Sequence, residues 1–378
     1  RFADATVKMG EAFAFTGAEA LAASARMAQL KDALGSQEAI IESTRAGLLM
    51  SQVGEMETEE GMNRFINLAQ QTQFLLGGLT RAQFDALEAE EQANIVRQTS
   101  IHTLDQLNTI ENSSVATMED ITFVLNQFAS QADIAGESIG EMAAMSALLL
   151  ETGEEVSRAG TGLRMIYQRL GNANNAATKA IAEHIEGVDA QGVAQMKLSD
   201  VLSDLAPAYA NMTAEEKRAL AVNIAGSRHY VKFLKLMENH NRLVQLQTNA
   251  FNAQFGAIEE FEKKMESTSF KAKVMEARLE NLRVVIGEDL AGAYMTAFRA
   301  EGLFLKGFEN IVNTSINGYQ PISQLVGAFI GLSSVYEKTS KPLFELGINA
   351  FNLFIAFKTL QAVSPKQRLE IKKAAAAH

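Results

Sequence analysis

Over its first 320 residues this chain carries one proline, Pro207; the other three are Pro321, Pro342 and Pro365. Proline removes a backbone donor and its ring clashes with the preceding turn, so a chain nearly free of it can run in uninterrupted helices. Ala, Leu, Met, Glu, Gln and Lys, which lose little on entering a helix, recur throughout. The apolar residues fall mostly at helical spacing. The expectation is an all-α fold: an elongated multi-helix array containing long amphipathic helices. At 47% apolar and 21% charged residues there is enough apolar surface for a sizeable core.

Charge and cysteine content exclude several functions. The formal net charge is −11, whereas a surface that neutralises phosphates must be basic, so no sequence-specific nucleic acid is expected as a partner. The absence of Cys excludes a disulfide framework, a thiolate metal site and a Cys nucleophile. The chain starts at Arg1 with mixed polar and apolar residues, and is read as part of a longer protein.

Punctuation along the chain predicts four stretches. Residues 1–135 form an N-terminal helical region. In it, Gly35 closes one helical segment, Ser36 caps the next to about Gly54, and Gly77-Gly78 closes Met62–Leu76. Thr80–Arg97, Ile101–Ile110 and Met118–Ala132 follow as further helices. Residues 136–299 form a second helical block, with capping boxes at Ser138-Ile-Gly-Glu141 and Thr213-Ala-Glu-Glu216. Glu186-Gly-Val-Asp-Ala-Gln-Gly192-Val breaks the period, and a short β-hairpin is expected near 186–197. Met275, Leu279, Leu282 and Ile286 are spaced four, three and four apart, a two-heptad seam at which helices can pair. Residues 300–363 form an apolar helical region and 364–378 a charged, Ala-rich end. From Asn310 to Tyr336 there is no Asp, Glu, Lys or Arg, but Pro321 and several Asn, Ser and Gln residues interrupt the run. It reads as a packed apolar helix or an interface rather than a membrane span.

The chemistry is sparse. Gly136-Glu-Ser138-Ile-Gly140 matches G-x-S-x-G, but that motif needs a strand leading into a helix, and Asn126–Ala135 is polar and helical. Ser138 is better used as a helix cap. Gly160-Thr-Gly162 lacks the third glycine of a dinucleotide loop and reads as a helix face approached closely by a neighbour. Arg164 and Arg169 on that helix are expected to pair with nearby acids. His102, His184, His229, His240 and His378 show no metal-ligand spacing. Glu154-Glu155, Glu215-Glu216 and Glu259-Glu260 point to different sides of their helices and read as solvated faces. No catalytic residue, metal ligand or cofactor site emerges, and an enzyme is not expected.

Two segments carry the most information: Glu151–Gly171, ETGEEVSRAGTGLRMIYQRLG, and Ala225–Asn239, AGSRHYVKFLKLMEN. With the Gly187–Gly192 turn, Leu198–Leu205, the Thr213 box and Leu279–Leu290, their order and separation resemble the phage tail tape-measure proteins, also called phage-related minor tail proteins. The resemblance runs over Ser138–Phe298. Its motif residues are Ser157, Gly160, Thr161, Leu163, Arg164, Arg169, Leu170, Gly226 and Arg228.

The resemblance implies a structural protein of the virion, without cofactor, that sets tail length inside the tail tube and leaves with the DNA at infection. It implies assembly in the host cytoplasm and residence in the tail-tube lumen. The partners it implies are the tail tube protein, tail assembly chaperones, tail tip or baseplate proteins and, during ejection, the host membrane. Self-association through the Met275–Ile286 seam, as a trimer, is the expectation for oligomeric state. Physically, a helix rises 1.5 Å per residue, so this chain as one helix would span about 570 Å. The alternative reading is a membrane-active helical pore-forming protein, which would use the Asn310–Tyr336 run.

Overall fold

Helix starts in this protein are written in side-chain oxygens. In the computed structural model, which describes residues 2–254 and 256–286, Thr16, Ser36, Thr80, Thr117, Ser138, Asn175, Asp189 and Thr213 each accept a backbone N–H from the first turn they precede. Such caps satisfy donors that a helix leaves open at its N-terminus. Both predicted capping boxes are present, at Ser138 with Glu141 and at Thr213 with Glu216. Further boxes stand at Thr16 with Glu19 and at Thr80 with Gln83.

The first half runs α1 (Phe2–Ala12), α2 (Gly17–Met27), α3 (Lys31–Leu34), α4 (Gln37–Val53), α5 (Thr58–Gln71), α6 (Arg81–Asp85), α7 (Ala89–Asn112) and α8 (Met118–Leu125). The second runs α9 (Ala129–Ile134), α10 (Ile139–Glu151), α11 (Val156–Leu170), α12 (Ala176–Ala182), α13 (Ala190–Val193), α14 (Leu198–Ala210), α15 (Ala214–Ala225), α16 (Tyr230–Glu238) and α17 (His240–Phe251). Two more helices, α18 (Gly256–Glu266) and α19 (Thr268–Ile286), close the described part. No strand occurs among the described residues, so the all-α expectation holds there.

Three expectations need correction. The hairpin near 186–197 is absent. Gly187 turns the chain with φ +76°, and Asp189 then accepts the Gly192 N–H at 2.8 Å, so the segment winds into the single turn of α13. The glycine that looked like a strand boundary is the one this cap engages. Secondly, Thr80–Arg97 and Ile101–Ile110 are not separate helices. The chain breaks after Asp85 and restarts at Glu88, whose capping box with Glu91 launches one 24-residue helix. Thirdly, the described helices are not strung out as an elongated array. They share one cluster of buried apolar residues running from Met9 to Phe270.

That core is rich in thioethers and small residues. α4 lies between α5 and α7, and Gly47 sits so close to the Met62 sulfur that a Cβ would not fit. Phe65, Phe84, Phe128 and Phe233 are fully buried. α10 is the central helix of the second half: from Ile139 to Leu149 only Glu141 escapes full burial. Each such Leu or Met contributes about 1.5–3 kcal/mol by leaving water. The end of the described chain returns to its beginning. Phe261 stacks on Phe13 with ring centroids 4.7 Å apart, Phe270 meets Phe261 edge-on, and the Asn281 amide donates to Glu11.

On α19 the buried face carries Phe270 and Ala277, with Val274 packed against the core. Of the predicted seam, Met275 is exposed; the side chains of Leu279, Leu282 and Ile286 lie outside the described set. The Asn310–Tyr336 run also lies outside the described residues. Among those described, no helix is long and apolar enough to cross a membrane.

Candidate functional site

The two informative segments, apart in sequence, meet in space. The turn between α10 and α11, Glu151-Thr-Gly-Glu154-Glu155, has few apolar side chains to hold it, and it is fixed by charge instead. Glu151 receives Arg242 of α17 through two contacts, Nη2 to Oε1 at 2.6 Å and Nε to Oε2 at 3.1 Å. The same guanidinium donates to the Ser113 carbonyl beyond the end of α7. Glu154 receives two cations of α16, Lys232 at 3.0 Å and Lys235 at 2.6 Å, and Lys235 also donates to the Thr152 carbonyl at 2.8 Å. Lys232 and Lys235 are three apart, so they share one face of α16.

These are not surface pairs. The side chains of Lys232 and Glu154 retain only 10% and 11% of their exposure, which corrects the reading of Glu154 as part of a solvated face. Burial acts to raise the Glu154 carboxyl, but hydrogen bonds from Lys235 and Lys232 outweigh it and hold it below the usual carboxylate range. Bonding to Glu151 likewise holds Arg242 above its ordinary value. Glu155, by contrast, stays exposed and pairs only locally with Arg158.

α11 packs beside this clip through its small residues, as the Gly160-Thr-Gly162 pattern predicted. A Cβ on Gly160 would lie 2.7 Å from the Gln127 amide carbon, and one on Gly162 would lie 2.9 Å from Lys232 Cγ. Thr161 donates to Gln127 Oε1 at 3.1 Å. Leu163 and Leu170 are buried in the core. Among the described residues Arg169 pairs with no acid. It donates from Nη2 to the Asn223 carbonyl in the last turn of α15, at 3.1 Å, and lies against Gly226. Unpaired carbonyls and the negative dipole end draw a cation there, and Gly226 can end α15 because it adopts φ +77°. Arg164, Ser157 and Arg228 are exposed, and Arg164 makes no ion pair among the described residues.

Ser138 sits where the cap reading put it. Its hydroxyl accepts the Glu141 N–H at 3.2 Å while Glu141 returns to the Ser138 N–H at 2.6 Å. Among the described residues no histidine hydrogen-bonds Ser138: His240 Nε2 lies 3.3 Å from Ser203 Oγ instead, and burial lowers its pKa. Among the described residues no group of His, Asp and Glu could hold a metal ion. The clip itself was missed in the sequence, although the spacing of Lys232 and Lys235 opposite the acidic Glu151–Glu155 turn was its signal.

Charged side chains here end on opposite charges and helix termini rather than converging on an open cavity, the arrangement of a structural protein fastened by polar clips. A sequence profile of the phage-related minor tail protein family matches residues 3–226, and the chain belongs to that family of virion-associated tail components. Over 216 residues it is 26% identical to the tape measure protein of Pneumococcus phage Dp-1, a stretch that takes in 56% of this chain and 18% of that protein. The match therefore spans less than a fifth of that relative's length. The family profile takes in α1–α8, which the residues quoted for the resemblance did not reach, and it ends at Gly226, the cap of α15. No solved structure matches the chain significantly.

Proposed function

We propose that this chain is a segment of a tape measure protein, which sets tail length inside the tail tube and is released with the DNA at infection. The observation that carries this is the 216-residue likeness to a protein of that name. The partners that follow are the tail tube protein, assembly chaperones, tail tip or baseplate proteins and further copies of the same chain, with a trimer the simplest assembly through the Met275–Ile286 seam.

Within that protein, residues 2–286 act as a folded block rather than as ruler length. Their helices share one core, from Met9 to Phe270. As a single helix these residues would extend about 430 Å. Folded as one domain they have a radius of gyration of about 19 Å. The absence of cysteine leaves no covalent staple to resist unfolding when the protein is threaded out.

Negative-stain microscopy of phage lacking residues 2–286 in frame tests the block. Tails shorter by no more than about 50 Å, the diameter of such a domain, are expected; a loss near 430 Å would mean the segment lies stretched in the tail. Mass spectrometry of purified particles before and after DNA release tests departure. Equal amounts of the protein in full and emptied particles would sink that part of the reading.

A further inference from the structure

α14 begins without a cap of its own. The residue at its N-cap is Lys197, which has no acceptor oxygen to offer the open N–H groups. The acceptor comes from Glu137, in the turn between α9 and α10. Its Oε1 takes the Ser199 N–H at 2.9 Å and its Oε2 lies 2.9 Å from Ser199 Oγ. Glu137 is buried, with 4% exposure. A second carboxylate reaches the same hydroxyl: Glu141 Oε1 lies 3.4 Å from Ser199 Oγ.

One hydroxyl hydrogen cannot serve two carboxylates. If one proton resides on Glu137, every contact has a donor: the Glu137 carboxyl donates to Ser199 Oγ, and Ser199 Oγ–H donates to Glu141. The groups around the pair are few. Lys197 contacts Glu141 at 3.3 Å, the fully buried Tyr167 phenol of α11 adjoins Glu137, and the Ser138 N–H is taken by Glu141. Among the described residues the two carboxylates thus face one cation, Lys197.

We propose that Glu137, Ser199 and Glu141 form a one-proton clasp that holds the N-terminus of α14 on the α9–α10 turn and loosens when the proton leaves. Burial, and then the negative charge of Glu141, push the Glu137 carboxyl up to about 7 against the opposing Ser199 bonds. On Glu141 burial acts upward, but the bonds from Ser138 and Lys197 prevail and the net shift is downward. The proton therefore resides on Glu137. The folded state holds it at pH values where the unfolded chain, with an ordinary carboxylate of 4.5, has released it. Stability from this group is complete below about 4.5 and is lost as pH rises through about 7.

The test compares urea unfolding of the full chain with that of Glu137→Gln from pH 5 to 8. The amide keeps the carbonyl acceptor and an N–H donor but cannot titrate. The ratio of unfolding constants, wild type over variant, is expected to rise by up to about tenfold per pH unit between pH 5 and 7 and then level off. A ratio constant across this range overturns the proposal. Should that variant not fold, carboxyl ¹³C titration of the Glu-labelled wild type decides. A glutamate with a midpoint near 7 that shifts in Ser199→Ala is expected; no glutamate titrating above pH 6, or a midpoint unmoved by the substitution, overturns the clasp.

Discussion

The two halves of the described unit are held by different forces. In α1–α8 the ion pairs are superficial or stay within one helix: Arg26 and Glu59 keep 37% and 70% of their side-chain exposure, Arg81 and Asp85 keep 40% and 48%, and the more buried Arg64 pairs with Glu60 one turn away on α5. What registers these helices is contact between backbones and soft side chains, as where Gly47 meets Met62 and Gly54 meets Met56 and Met118. In α10–α17 the helices also bury apolar faces, but the turns are placed by half-buried charge. Glu151 and Glu154 reach across to α16 and α17, and Arg169 reaches α15. Apolar packing sets how closely helices lie; directed charge sets which terminus meets which helix. A network of this kind can fix a turn that has no large apolar side chain of its own.

The contrast can be broken by substitution, read as denaturant-unfolding free energies of the chain. The largest effect belongs to the first half. Phe65→Ala empties a fully buried ring site that also meets Phe74 edge-on, and a loss of about 3–5 kcal/mol is expected. Next is Glu154→Ala, which leaves Lys232 nearly buried without its partner; about 2 kcal/mol is expected, with little dependence on salt. A loss below 0.5 kcal/mol would mean that the clip is no firmer than a surface pair. Gly160→Ala gains helix propensity but drives a methyl into Gln127, for a net loss of about 1 kcal/mol. Ser138→Ala removes a cap and costs about 1 kcal/mol, with no other consequence expected of that serine. Smallest is Arg26→Ala, at about 0.5 kcal/mol or less and diminishing with added salt. If Arg26→Ala matched Glu154→Ala, the distinction between the halves would fall.

Local chemistry was legible where a residue acts on its own turn. Ser36, Ser138 and Thr213 cap the helices they were expected to cap, and Gly35, with φ +74°, ends the segment before Ser36. The close approach at Gly160 and Gly162 was legible too, because only small residues admit a neighbour there. Errors arose where two local signals competed. At Glu186–Val193 the glycines suggested a hairpin, yet the Asp189 oxygen engaging the Gly192 N–H tipped the balance to a helical turn. Over Ala89–Asn112, burial at Gln92, Val96 and Ser100 and then all round from Thr103 to Asn108 carried the helix through a stretch with no strong propensity of its own.

What the sequence determined by itself is the helical class, the self-capped helix starts after Ser36, Ser138 and Thr213, and the family, because caps, proline scarcity and motif order are properties of neighbouring residues. The tertiary structure alone decided that Glu151 is an anchor, that Glu154 is one rather than a solvated acid, that Arg169 caps a helix rather than pairing with an acid, and that Glu137 caps α14 from 62 residues away. Each of those contacts joins residues far apart in the chain. A carboxylate's surroundings, and with them its charge, are fixed only when the folded core brings its partner and excludes water.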